Sequence, residues 1–135
     1  MAILGLDVGG KRIGVALSTG LIAVPLTVIE SAGGDEDFNR VLALADEYDA
    51  ERIVVGLPRS MDGSIGSQAE SVIEFSKGLA KRTDIPIDTC DERLTTVTAE
   101  RLLREGGARR GKRKANIDAM AASVILQAYI DETNK

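Results

Sequence analysis

The chain has 135 residues, 44% of them apolar and 28% charged, with one cysteine and no histidine. That length and composition fit a single globular domain, residues 1–135, and exclude wholesale disorder or a disulfide scaffold. They also exclude every scheme built on imidazole or on four thiolates, including Ser-His-Asp triads and zinc centres held by His or by four Cys.

The net charge of −4 hides an asymmetry. Residues 101–114 carry seven Lys or Arg against Glu105 alone, a local +6 on a body of −10. Such a segment reads either as a phosphate-contacting arm or as a solvated surface loop. No stretch reaches the ~20 apolar residues needed to cross a bilayer. The N-terminus has no basic, cleavable leader pattern, so the expected location is the cytoplasm.

In chain order, Ala2–Val8 is an apolar run that predicts a buried strand. Gly9-Gly10-Lys11-Arg12 is a tight connection to a second strand, Ile13–Ser18, giving a hairpin. Ala23–Glu30 is a third strand, and Pro25 places its start at an edge or bulge. Helical spacing over 35–48 puts Phe38, Val41, Leu42, Ala45 and Tyr48 on one face and the acids on the other. Arg52–Gly56 predicts a short central strand. A loop over 57–65 leads to a helix, Ser67–Lys81, with Ala69, Val72, Ile73, Phe75, Ser76 and Leu79 inward. Ile85–Cys90 is a further strand, with Cys90 a small buried residue. Thr95–Glu105 predicts a helix stopped by Gly106-Gly107, and Ala108–Lys114 a basic loop. A closing helix, Asn116–Asp131, would turn Ile117, Met120, Ala121, Val124, Ile125, Ala128 and Tyr129 inward. A hairpin and then strand–helix alternation imply an α/β domain with a mixed five-stranded sheet, its first three strands antiparallel and helices on both faces.

Three acids lie at element ends beside small or apolar neighbours. Asp7 lies near the end of the first strand, where an unpaired carboxylate is costly to desolvate; it could equally cap the Gly9-Gly10 turn. Glu92 follows the last strand, or pairs with Arg93 at the surface. Asp118 begins the closing helix on the same face as Ala121, Ala122, Ile125 and Tyr129, or simply serves the helix dipole. In a chain without His, converging carboxylates are natural ligands for Mg²⁺ or Mn²⁺. Two such ions ~3.5–4 Å apart can support phosphodiester cleavage. The stretches 9–14 and 56–64 offer backbone N–H groups and cations to phosphate, or are ordinary turns. Aromatic residues make up 3% of the chain, too few for a base-stacking platform.

Four ordered blocks, GLDVGGKRIGVALS (5–18), VVGLPRSMDGSIGSQA (54–69), DERLTTVTAERLL (91–103) and KANIDAMAASVILQAYI (114–130), resemble those of the YqgF family, also called RuvX. Its members are described both as pre-16S rRNA nucleases and as Holliday junction resolvases. The resemblance implies an RNase H-like fold related to the RuvC resolvases. It implies that Asp7, Glu92 and Asp118 hold catalytic Mg²⁺ or Mn²⁺. A fourth carboxylate, frequent in such sites, is replaced beside Asp118 by Ala121 and Ala122. Lys11, Arg12, Arg59 and Lys114 would meet the scissile strand's phosphates, and Arg93 would do so or orient Glu92. Residues 101–114, with Arg109, Arg110, Lys112 and Arg113, would form the RNA arm. The implied task is to mature the 5′ end of pre-16S rRNA during ribosome biogenesis, on a structured nucleic acid or the small ribosomal subunit, as a monomer or weak dimer.

Alternatives are resolution of branched DNA, a non-catalytic assembly factor, and ATP binding. The last follows from a likeness of 7–14 to the phosphate loop of the actin, Hsp70 and sugar-kinase proteins, which use two such domains where this chain has one.

Overall fold

The computed structural model describes residues 2–58, 66–91 and 113–133. In chain order the elements are β1 (Ala2–Val8), β2 (Arg12–Ser18), β3 (Ala23–Glu30), α1 (Asp35–Glu47), β4 (Ala50–Leu57), α2 (Ser67–Ala80), β5 (Ile87–Asp91) and α3 (Arg113–Thr133). The five strands form one sheet in the order β3-β2-β1-β4-β5. β1 pairs antiparallel with β2 and parallel with β4. β3 pairs antiparallel with β2, and β5 parallel with β4. The expected mixed sheet and its antiparallel opening are both observed. The expected loop over 59–65, the helix over 95–105 and the basic residues through Lys112 lie outside the described residues.

β1 is central, so both its faces are covered, and apart from Asp7 its sequence is apolar rather than alternating. Leu4, Leu6, Ile13, Val15, Ile53 and Val55 face α1 and α2 and are almost wholly buried with Val41, Val72 and Leu79. Ala16, Val54 and Cys90 face the other way and pack under Ala122, Ile125, Leu126 and Ile130 of α3. Helices therefore cover both faces, as the strand–helix alternation requires.

Several boundaries and faces differ from expectation. β4 is longer, Ala50–Leu57, because its ends pair with β1 and β5 beyond the apolar run. β5 starts at Ile87 rather than Ile85, since Pro86 has no N–H to give to a ladder and contributes only its carbonyl, to Ile53 N at 3.0 Å. Pro25 does lie on the edge strand, where the β2–β3 register shifts between Val15 and Ala16. α3 begins at Arg113, so Arg113 and Lys114 belong to its first turn rather than to the basic loop. The inward stripe of α3 is also rotated from expectation: Ile117 is exposed while Ala119, Ala122 and Leu126 are buried. Most positions on this helix between 117 and 130 are small or apolar, so periodicity alone does not fix its phase.

The acids of α1 do not all face solvent. Asp37 is buried, accepting hydrogen bonds from Ser31 Oγ (2.6 Å), Ala32 N (2.9 Å) and Gly33 N (3.3 Å). It sits in the first turn of α1 and reaches back to tie down the loop over 31–33 that leads into the helix. Burial alone would raise its pKa, but the three hydrogen bonds and the nearby Arg40 charge outweigh this and hold it below the usual carboxylate value. Its contribution to stability is therefore complete above about pH 5 and fades as pH falls through about 4 and below. Asp37→Ala is expected to cost about 2 kcal/mol at neutral pH. Chemical denaturation at pH 7 and pH 3.5 checks this: the wild-type advantage should shrink at the lower pH, and equal stabilities at pH 7 would refute the role.

A second polar clasp ties α3 to the sheet. Arg52 on β4 and Tyr129 on α3 both donate to Asp88 on β5, Tyr129 Oη at 2.7 Å. The Tyr129 hydrogen bond first, and then Arg52, hold the Asp88 carboxyl below its ordinary pKa against the effect of burial. Tyr129→Phe is expected to cost about 1 kcal/mol, read from a denaturation midpoint.

Candidate active site

The carboxyl ends of β1, β4 and β5 lie at one end of the sheet, because these strands are mutually parallel. β1 is also the branch point: the chain runs from it to β2 on one side, while β4 lies on the other. Open α/β sheets place ligands at such points, outside the carboxyl ends of the strands. Asp7 occupies this position on β1 and is half-buried.

The ladder register assigns the face. Asp7 stands opposite Gly14 of β2, and Gly5 opposite Ala16. A Cβ built on Gly14 would lie 1.9 Å from the backbone carbonyl oxygen of Asp118, and one on Gly5 would lie 2.7 Å from Leu126 Cβ. Both glycines thus point at α3. Directly opposed residues share a face with Cβ positions ~4.5–5.5 Å apart, so Asp7 stands on the α3 side of the sheet, next to the Gly14 on which the Asp118 backbone rests. Two of the three acids singled out from the sequence, one from the first strand and one from the last helix, lie on the same face of the sheet here. Glu92 lies outside the described residues, and among the described residues no three His, Cys, Asp or Glu side chains converge as metal ligands.

Arg12 joins the same cluster. Its Nε donates to Asp118 Oδ2 at 2.7 Å, with the side chains 39% and 28% exposed. Arg12 opens β2 in phase with Gly14, and so projects to the α3 face. The hairpin between them is closed by Gly9 N donating to the Arg12 carbonyl at 2.9 Å, and Lys11 stands exposed at its tip. The Gly9 N–H is therefore engaged in the turn. Arg59, Arg93, Arg109, Arg110 and Lys112 lie outside the described residues, as do the side chains of Arg113 and Lys114.

Two features escaped the sequence reading. Gly14 acts as the floor on which α3 rests, where the sequence pointed only to its N–H. Small residues on the closing helix, Ala119 and Ala122, gave the one available sign of such close packing. The Arg12–Asp118 pair joins residues 106 positions apart, and no local pattern marks it.

The fold belongs with known proteins. Over 98% of this chain and 96% of the other, it superposes on Thermus thermophilus RuvC, solved in complex with a Holliday junction substrate, with a TM-score of 0.62 at 15% identity. This is the RNase H-like architecture of the RuvC resolvases. A family model described as "RuvX: Holliday junction resolvase" matches residues 1–132. A protein of Desulforamulus reducens named "Putative pre-16S rRNA nuclease" is 50% identical over the full length of both chains. One of the same name from Clostridium kluyveri is 45% identical, again over both full lengths. The chain belongs to the RuvX family.

Proposed function

We propose that this chain is a divalent-metal-dependent nuclease that cleaves a phosphodiester bond in RNA and matures the 5′ end of pre-16S rRNA in the cytoplasm. The observation that supports the reading is that Asp7, at the carboxyl end of β1, pairs with Gly14, on which the backbone of Asp118 rests on the same face. Its support from kinship is the shared name of full-length relatives at 45% and 50% identity.

The donor set fits a hard cation. Asp7 and Asp118 offer carboxylate oxygens, and the chain has no imidazole to favour a softer metal. We assign Glu92 as the third ligand. It directly follows β5 in sequence, and Asp88 and Cys90 of that strand pair with Val54 and Gly56 in the register that faces α3. When bound, Mg²⁺ or Mn²⁺ supplies an activated water and a Lewis-acid partner for the phosphate. Asp7 and Asp118 hold that charge at the branch point of the sheet. Lys11, at the exposed hairpin tip, contacts the phosphate backbone, with Arg59, Arg93 and the basic residues Arg109, Arg110, Lys112, Arg113 and Lys114 extending the track. Binding through such contacts weakens steeply with salt. The whole of 1–135 acts as one domain, as a monomer or weak dimer.

The family description favours one second reading, cleavage of four-way DNA junctions. The deciding assay offers a 5′-extended 16S precursor and a four-way junction to the protein with Mg²⁺ or Mn²⁺, with and without EDTA. Metal-dependent cutting of the RNA is expected, with the junction cut at least about tenfold more slowly. Preferential junction cutting would replace this reading with the second. An inactive, folded protein on both would leave an assembly factor.

A further inference from the structure

We propose that Arg12 is a latch on the metal site: its guanidinium neutralises Asp118 when no cation is bound, is displaced by a divalent ion, and is thereby released toward the phosphate backbone. The inference rests on reading Asp118 as a metal ligand.

The argument starts from charge. Asp7 and Asp118 are held on one face by the Asp7–Gly14 pairing and by the contact of α3 with Gly14, whether or not a cation is present. Two carboxylates on one face repel each other, and a positive charge on Asp118 eases that repulsion while no cation is bound. Arg12 supplies it through a single contact, Nε to Oδ2 at 2.7 Å. This is a one-nitrogen contact rather than a two-pronged clamp, and both side chains remain more than a quarter exposed. Such a pair is weak enough to be exchanged for a cation.

The position of Arg12 shows where the released group would go. It directly follows the exposed Gly10 and Lys11 at the hairpin tip, and it stands opposite Glu30 on β3. Once parted from Asp118, the guanidinium lies between that tip and the acid cluster, where the substrate phosphate would arrive. A cation at Asp118 and a guanidinium on Asp118 compete for the same oxygen and repel each other. Both effects lower metal affinity in the wild type and couple metal binding to nucleic-acid binding.

The test is Mn²⁺ binding to the full chain without nucleic acid, by calorimetry, for wild type, Arg12→Gln, Arg12→Lys and Asp7→Asn. Arg12→Gln is expected to bind Mn²⁺ about two- to fivefold more tightly, the range expected from an exposed ion pair. The gain should shrink in high salt. Arg12→Lys keeps the charge and should stay near wild type. In thermal melts, Mn²⁺ should raise Tm more for Arg12→Gln than for wild type, which also reports that the variant folds. Unchanged or weaker Mn²⁺ binding by Arg12→Gln, with binding still lost in Asp7→Asn, would overturn the latch and leave the metal site standing. Mn²⁺ binding that is absent, or indifferent to Asp7→Asn, would overturn both.

Discussion

Asp7→Asn is expected to reduce metal-dependent cleavage by at least about a hundredfold while leaving the fold intact. The substitution keeps shape and volume and removes only the charge. Asn retains hydrogen-bonding capacity at a half-buried position, so Tm should stay within a few degrees of wild type. The charge is what matters to a metal, and electrostatic stabilisation by a bound ion contributes several kcal/mol to such transition states, more than two orders of magnitude in rate. Asp118→Asn should show a similar loss. The double variant should be little worse than either single one, because ligands of one ion act as a unit. Cleavage rates with Mn²⁺ and circular-dichroism melts check this together. A folded Asp7→Asn protein that keeps half its activity would remove Asp7 from the chemistry.

How much of this was readable in advance differs by element. Strands β1, β2 and β3 announce themselves through apolar runs separated by Gly-rich turns, and the structure bounds them within one residue of expectation. Asp7 was legible as a candidate because a carboxylate near the end of an apolar strand is out of place unless it has work to do. α3 was harder. Its residues are apolar or small around most of the circumference, so its existence was plain and its rotation was not. Asp37 was misread for a related reason: an acid in the first turn of a helix is ordinarily solvated, and only the loop over 31–33 shows that it is turned back and buried. That Asp7 and Asp118 share a face depends on a strand pairing and a helix contact separated by more than a hundred residues. Local sequence permits that arrangement without specifying it.

The substitution with the most informative failure is at Gly14. Gly14→Ala adds one methyl group, yet that atom would lie 1.9 Å from the Asp118 carbonyl oxygen, 2.5 Å from its carbon and 3.1 Å from Ala119 N. All three are backbone atoms, so no rotamer change relieves the overlap. The start of α3 must move away from β2 by at least about 1 Å. The rest of the helix is anchored by Ala122, Ile125, Leu126 and Ile130 under the sheet, so the protein should still fold, at a cost of about 1–3 kcal/mol for the overpacked contact. The displacement falls on the residue that must meet Asp7, and a misplacement of about 1 Å at a reacting centre can cost a hundredfold in rate. Gly14→Ala should therefore lose activity far beyond its loss of stability. Gly10→Ala is the matched control, since a Cβ there has nothing within 4 Å, and it should be close to neutral in both measurements. Urea melts and single-turnover cleavage of the two variants separate the possibilities. Full activity in Gly14→Ala would mean that the approach of α3 to β2 does not set the distance between the two acids, and the site would have to be built on other residues.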